Sequence, residues 1–164
     1  DLRPGPAKML PLIKKVVEIA DKAAAAEAFT STGAMGEAAV PSLIRGLQLG
    51  EHRPLVASIL AHIGPPAKAA VPALTEIIKT DKNPHARREA LLALGAIGEA
   101  SAPAVPAIEA ALSDSDVKVV LAACYALGKL GPAAKDAAPA LKKLAEDKDA
   151  TVRKAAEDAL AAVQ

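Results

Sequence analysis

Three histidines, one cysteine and a scatter of carboxylates are the residues in this 164-residue chain that could do chemistry. His52, His62 and His85 are the candidate metal ligands or proton carriers. A metal site collects its ligands at helical spacing or in short clusters, and none of the three has a histidine four residues away. They read as solvated residues near helix ends. Cys124 could act as a nucleophile, but it shares a repeat column with Leu91, Ala57 and Phe29. That column makes it a small, half-buried packing residue. The adjacent carboxylates Glu157 and Asp158 fall on a solvated helix surface. No glycine-rich phosphate loop follows a strand, because no strand is expected. These residues assemble no catalytic constellation. The reading is therefore not an enzyme, with no catalytic residue, no metal and no cofactor.

The elements that hold these residues repeat. Proline recurs at Pro11, Pro41, Pro72, Pro106 and Pro139, in steps of 30, 31, 34 and 33 residues. Glycine recurs at Gly36, Gly64, Gly98 and Gly131, in steps of 28, 34 and 33. Each proline opens an apolar helical stretch, where its missing N–H costs nothing. Each glycine closes a second stretch, where it can take the left-handed capping conformation. Self-similarity at this period means stacked helix pairs sharing one continuous core. First helices are expected near 7–19, 38–48, 69–79, 103–112 and 136–146, and second helices near 21–34, 52–63, 84–97, 115–130 and 149–162. The whole chain, 1–164, is one repeat domain with units of about 6–36, 36–64, 64–98, 98–131 and 131–164. The start at Asp1, the stretch Gly5-Pro6-Ala7-Lys8 and the end at Gln164 suggest a piece of a longer protein.

Within each unit, Leu74, Ile77 and Ile78, and then Ile108, Ala111 and Leu112, recur at helical spacing on the first helix. Asn83, Asp116 and Asp149 share one column and are expected to cap the second helices. The buried columns of the second helix hold Ala86, Ala90, Ala93, Leu94 and Ile97. The next unit has Val119, Ala123, Ala126, Leu127 and Leu130 there, and the last has Val152, Ala156, Ala159, Leu160 and Val163. The opposite face carries Pro54, Ser58 and His62, then Arg88 and Leu92, then Leu121, Tyr125 and Lys129, then Lys154 and Asp158.

Composition narrows the function classes. Hydrophobic residues make up 52% of the chain but aromatic residues only 1%, so the core must be Ala, Leu, Val and Ile. The net charge is +1 and evenly spread. No basic stripe announces nucleic acid, no polybasic segment announces a membrane, and no apolar run approaches transmembrane length. A single cysteine excludes an intrachain disulfide and leaves the compartment open.

The segments Ala70-Val71-Pro72-Ala73-Leu74, Ala104-Val105-Pro106-Ala107-Ile108, Thr151-Val152-Arg153 and Ala93-Leu94-Gly95-Ala96-Ile97-Gly98 resemble HEAT repeats, in particular the short class named for phycobilisome lyases. The resemblance covers about residues 6–163. It implies an all-α fold, a right-handed alpha-alpha superhelix of about five helix pairs in the armadillo-like helical group, with second helices lining the concave face. It also implies a ladder in which a turn aspartate pairs with an arginine early in the second helix. Asp81 with Arg87 and Asp147 with Arg153 match. Arg53 lacks a matching turn aspartate, and Val120 interrupts the series. The His-Glu pairs of deoxyhypusine hydroxylase, a metalloenzyme of this fold, are absent here. The basic, aromatic-lined face of helical-repeat DNA glycosylases is absent too.

The expected function is a protein–protein interaction scaffold that binds a protein or peptide on its concave face. The alternative is a chromophore-lyase-like or lyase-chaperone subunit. Leu92, Leu121 and Tyr125 lie on adjacent repeats, turned from the core, and form the expected partner-binding patch. Arg88, Lys129 and Lys154 rim it. No nucleic acid and no membrane is expected as partner.

Overall fold

The computed structural model describes residues 33–50 and 52–164, with side chains from Gly36 onward. The described chain is helical, with no strand among the described residues. Its elements are α1 (Gly33–Leu49), α2 (Arg53–Ile63), α3 (Val71–Thr80), α4 (Pro84–Ile97), α5 (Val105–Ala110), α6 (Val117–Leu130), α7 (Ala138–Leu144) and α8 (Ala150–Val163). Short 3-10 segments join them: Pro65–Ala70, Gly98–Ala104, Ala111–Ser113 and Gly131–Ala137. The expected second helices agree with α2, α4, α6 and α8 to within two residues. The expected first helices of the last three pairs are each split into a 3-10 entry and a shorter α-helix.

Local chemistry explains the boundaries. Gly64, Gly98 and Gly131 have φ of 68°, 78° and 56°, a region that glycine enters without steric cost. Their N–H groups donate to the carbonyls of Leu60, Leu94 and Leu127, which would otherwise be left without donors. Asn83, Asp116 and Asp149 cap α4, α6 and α8, accepting from the N–H groups of His85, Lys118 and Thr151 at 2.9, 2.8 and 2.7 Å. Two residues before each cap, Asp81, Asp114 and Asp147 accept from the cap's own N–H at 2.8, 2.9 and 2.8 Å. Two side chains in series therefore build each turn.

The expected break at Gly36 is absent. Gly36 and Pro41 both lie inside the continuous α1. In the later units the proline stands eight positions after the closing glycine (64 to 72, 98 to 106, 131 to 139), whereas Gly36 and Pro41 are five apart. Three residues fewer leave no room for the 3-10 turn, and the helix runs through. Expected helix 7–19 lies outside the described residues, as does 21–34 apart from its last two positions, which belong to α1.

Alternate elements form two layers. The second helices α2, α4, α6 and α8 pack directly on one another, more extensively than the first helices do, and form the layer that the repeat resemblance sets on the inner face. Ala90, Ala93, Leu94, Ala123, Ala126 and Leu127 lie between the layers with no exposed surface. Leu160, in the same column as Leu94 and Leu127, is only half-buried, because no further helix pair of the described chain covers it. Two spans, Pro84–Ser113 and Val117–Leu144, are long and apolar enough by length and composition to cross a membrane, contrary to the sequence expectation. Each is broken at a positive-φ glycine, Gly98 or Gly131, into two packed helices.

Candidate functional site

The inner face is built from the exposed columns of α4, α6 and α8. Tyr125, on α6, is 44% exposed and is one of the few large hydrophobic side chains that the described residues leave in solvent. Its ring does not project freely. A Cβ placed on Gly95 would lie 3.1 Å from Tyr125 Cε1 and 3.1 Å from Ala126 Cα. Gly95 thus provides bare backbone on which the ring lies as α4 and α6 approach. One turn on, Lys129 Nζ stands 5.5 Å from the ring centroid, a cation–π contact. Leu121, one turn before Tyr125, is half-buried and lines a groove of about 370 Å³ with Tyr125 and Lys129. The far wall of that groove is Asp158 on α8, and Cys124, Gly128 and Ala159 also line it.

The remaining expected site residues are placed less uniformly. Leu92, one turn before Gly95 on α4, is half-buried and packed against the core. Lys154 is exposed and pairs with Asp158 at 3.7 Å. Arg88, expected on the rim, is half-buried and engaged by its neighbour. Its Nη2 donates to Glu89 Oε1, and its Nε is buried with no hydrogen-bond partner. Ser58, expected in the outward column of α2, is buried.

Sequence reasoning missed Glu89. Its side chain is only 4% exposed, and Arg88 and His85 Nδ1 approach it, the latter at 3.9 Å. Its column otherwise holds Leu55, Ala122 and Ala155, and an acid among apolar residues was the available signal. A buried carboxylate costs several kcal/mol unless cations and hydrogen bonds compensate it, which ties down Arg88.

Cys124 is fully buried rather than half-buried, and burial pushes its thiol up to about 11. At neutral pH it is a protonated packing residue and a poor nucleophile. His52 and His62 are exposed, and His62 Nδ1 lies 2.8 Å from the Ser58 carbonyl in its own helix. No group of three potential metal-binding side chains occurs among the described residues.

The arginine ladder is present but shifted by one unit. Arg87 does not pair with the Asp81 carboxylate. Its Nη1 donates to the Asp81 backbone carbonyl at 2.9 Å, while Nε and Nη2 grip the Asp114 carboxylate of the following turn, both at 2.8 Å. Arg53 repeats this, with Nε on the Leu47 carbonyl at 2.7 Å and Nη1 on Asp81 Oδ2 at 2.9 Å. It has its aspartate after all, one repeat further on. Arg153 Nη1 donates to the carbonyls of Asp147 and Lys148 rather than to the Asp147 carboxylate. The guanidinium groups of Arg53 and Arg87 thus reach forward along the stack. Val120 stands in the arginine position before Asp147, so that rung is missing. The Arg87 guanidinium holds the Asp114 carboxyl below the usual aspartate range, against the opposing effect of burial.

Residues 49–105 and 100–161 match the family model described as HEAT repeats. No curated protein sequence matches the chain. Its structure is similar to that of a chain in the complex of CpcE and CpcF of phycocyanin lyase from Nostoc sp. PCC7120. The TM-score is 0.77 at 25% identity, over 93% of this chain and 98% of that one. A designed armadillo repeat protein, 18% identical, has a TM-score of 0.65 over 85% of this chain and 74% of its own. Another, in complex with the peptide (KR)4, is 17% identical with a TM-score of 0.69, over 98% of this chain and 87% of its own.

Proposed function

This chain belongs to the HEAT repeat family, and from that premise we propose that it is a non-enzymatic scaffold binding a protein or peptide along the inner face of its second helices. The observation that carries this reading is Tyr125: a half-exposed aromatic, held flat on Gly95 and flanked by Leu121 and Lys129, beside an open groove. A rigidly held aromatic offers contact area at small entropic cost, which is how interface hot spots work. The neighbours support it by analogy, since one is a two-protein complex and another holds a peptide. Catalysis finds no support in the side chains: Cys124 is protonated and Glu89 is held by its own helix.

The test is a photo-crosslinking amino acid placed at Tyr125 and, separately, at Glu109 on the first-helix side, each exposed to extract of the source cells. A single protein captured from position 125 and not from 109 supports the reading. Equal capture from both, or capture from 109 only, contradicts it. The second reading, a chromophore-lyase-like or lyase-chaperone subunit, is favoured by the likeness to the phycocyanin lyase complex over nearly the whole of both chains. Stoichiometric uptake of a bilin, followed by its visible absorption, would favour that reading over the scaffold.

A further inference from the structure

Two successive interfaces on the inner face share a plan and differ in one side chain. Three positions before the closing glycine, α4 has Gly95 and α6 has Gly128. Six positions before it, α6 has Tyr125 and α8 has Asp158. Between α4 and α6, the Tyr125 ring covers Gly95, with Cε1 3.1 Å and Cδ1 3.3 Å from where a Cβ would be. Between α6 and α8, a Cβ on Gly128 would meet only Ala159, at 3.5 Å, and Ala162, at 4.0 Å. No ring lies there. Asp158 is too short to reach across, and its carboxylate stands 3.7 Å from Lys154. What is left is the groove of about 370 Å³ floored by small side chains and by Gly128. The first interface therefore shows what fits the second.

The charges around the groove narrow the occupant further. The groove lining itself carries one cation and one acid, Lys129 and Asp158. Arg88 is bound to Glu89, and Lys154 is paired with Asp158. Lys129 stands over the Tyr125 ring and has no ion pair among the described residues, whereas Asp158 is already paired with Lys154, so Lys129 is the groove charge left open to an opposite charge.

We propose that the groove between α6 and α8 takes an aromatic side chain from a partner polypeptide, with an acidic residue beside it set against Lys129. This rests on the peptide-scaffold reading above and names its partner's chemistry. The aromatic face would lie over Gly128 as Tyr125 lies over Gly95, and the acidic neighbour would find a cation that has no ion-pair partner among the described residues.

The test uses a displayed library of random peptides panned against the protein, followed by affinity measurements on the selected sequences. Enrichment of an aromatic residue adjacent to Asp or Glu is expected. Asp158→Tyr fills the groove from within and should weaken a selected peptide by at least about tenfold. Asp158→Asn, which adds no ring and removes a carboxylate that would face the peptide's own acid, should bind the peptide at least as tightly as the wild type. Position 158 is exposed, so both variants should melt near the wild type, and that is checked first. Selected peptides lacking an aromatic residue, or bound equally by the Asp158→Tyr variant, overturn the groove proposal while leaving the scaffold reading intact. If no peptide is enriched at all, the scaffold reading fails and takes the groove with it.

Discussion

A single missing Cβ decides how two residues behave on the inner face. At Gly95 a methyl group would press on the Ala126 backbone and the Tyr125 ring, both at 3.1 Å. At Gly128 the nearest atom, Ala159 Cα, is 3.5 Å away, an ordinary contact. Alanine favours a helix interior over glycine by about 1 kcal/mol. Gly128→Ala should therefore raise stability by up to about 1 kcal/mol. Gly95→Ala should lose that gain to overpacking and come out neutral or destabilised by about 1–2 kcal/mol. Urea melts of the two variants check the opposite outcomes, and a stabilised Gly95→Ala variant would mean that the Tyr125 ring moves aside without cost. The outward position of Tyr125 was legible from helical periodicity, but its seat on Gly95 was not, because the contact joins two repeats. Glu89 was legible as an acid in an apolar column, although its capture of Arg88 depends on burial that a column alone does not show.

At the scale of the element, the turn and its arginine make one unit with the turn after it. Asp114 receives two guanidinium bonds from Arg87 and one backbone N–H, whereas Asp147 receives only the N–H. Charge-assisted bonds contribute about 1.5–3 kcal/mol when partly buried. Asp114→Asn should accordingly cost about 1–2 kcal/mol, and Asp147→Asn, which keeps its turn bond, within about 0.5 kcal/mol. Thermal melts of the pair distinguish them, and equal losses would deny the ladder. The pH dependence follows from the lowered pKa of Asp114. Its contribution is full above the ordinary aspartate value near 4 and is lost as pH falls through the lowered folded value. Replacing Arg87 with Met should flatten the acid limb of the stability curve. The Asp and Arg columns were both visible in the sequence. Their pairing was misassigned by one unit because alignment within a repeat does not show which way the guanidinium reaches. The α1 boundary failed for a related reason: glycine and proline marked a turn, but the spacing between Gly36 and Pro41 was too short to hold one.

For the whole molecule, stability passes from unit to unit through the shared core. Leu127 has no exposed surface. Leu127→Ala should cost about 2–5 kcal/mol, as truncations of buried leucine do, and a loss below about 0.5 kcal/mol would contradict the column assignment. The solenoid was legible from sequence because its proline, cap and glycine signals recur with the period of the stack. The partner was not, because binding uses a surface that repeats do not need in order to fold. The scaffold account is tested most directly by the affinity of the Tyr125→Ala variant for a peptide selected on the wild-type protein, measured alongside its melting temperature. The account predicts affinity weaker by at least about 1–2 kcal/mol, with a melting temperature within a few degrees of wild type. Unchanged affinity in a folded variant would contradict it.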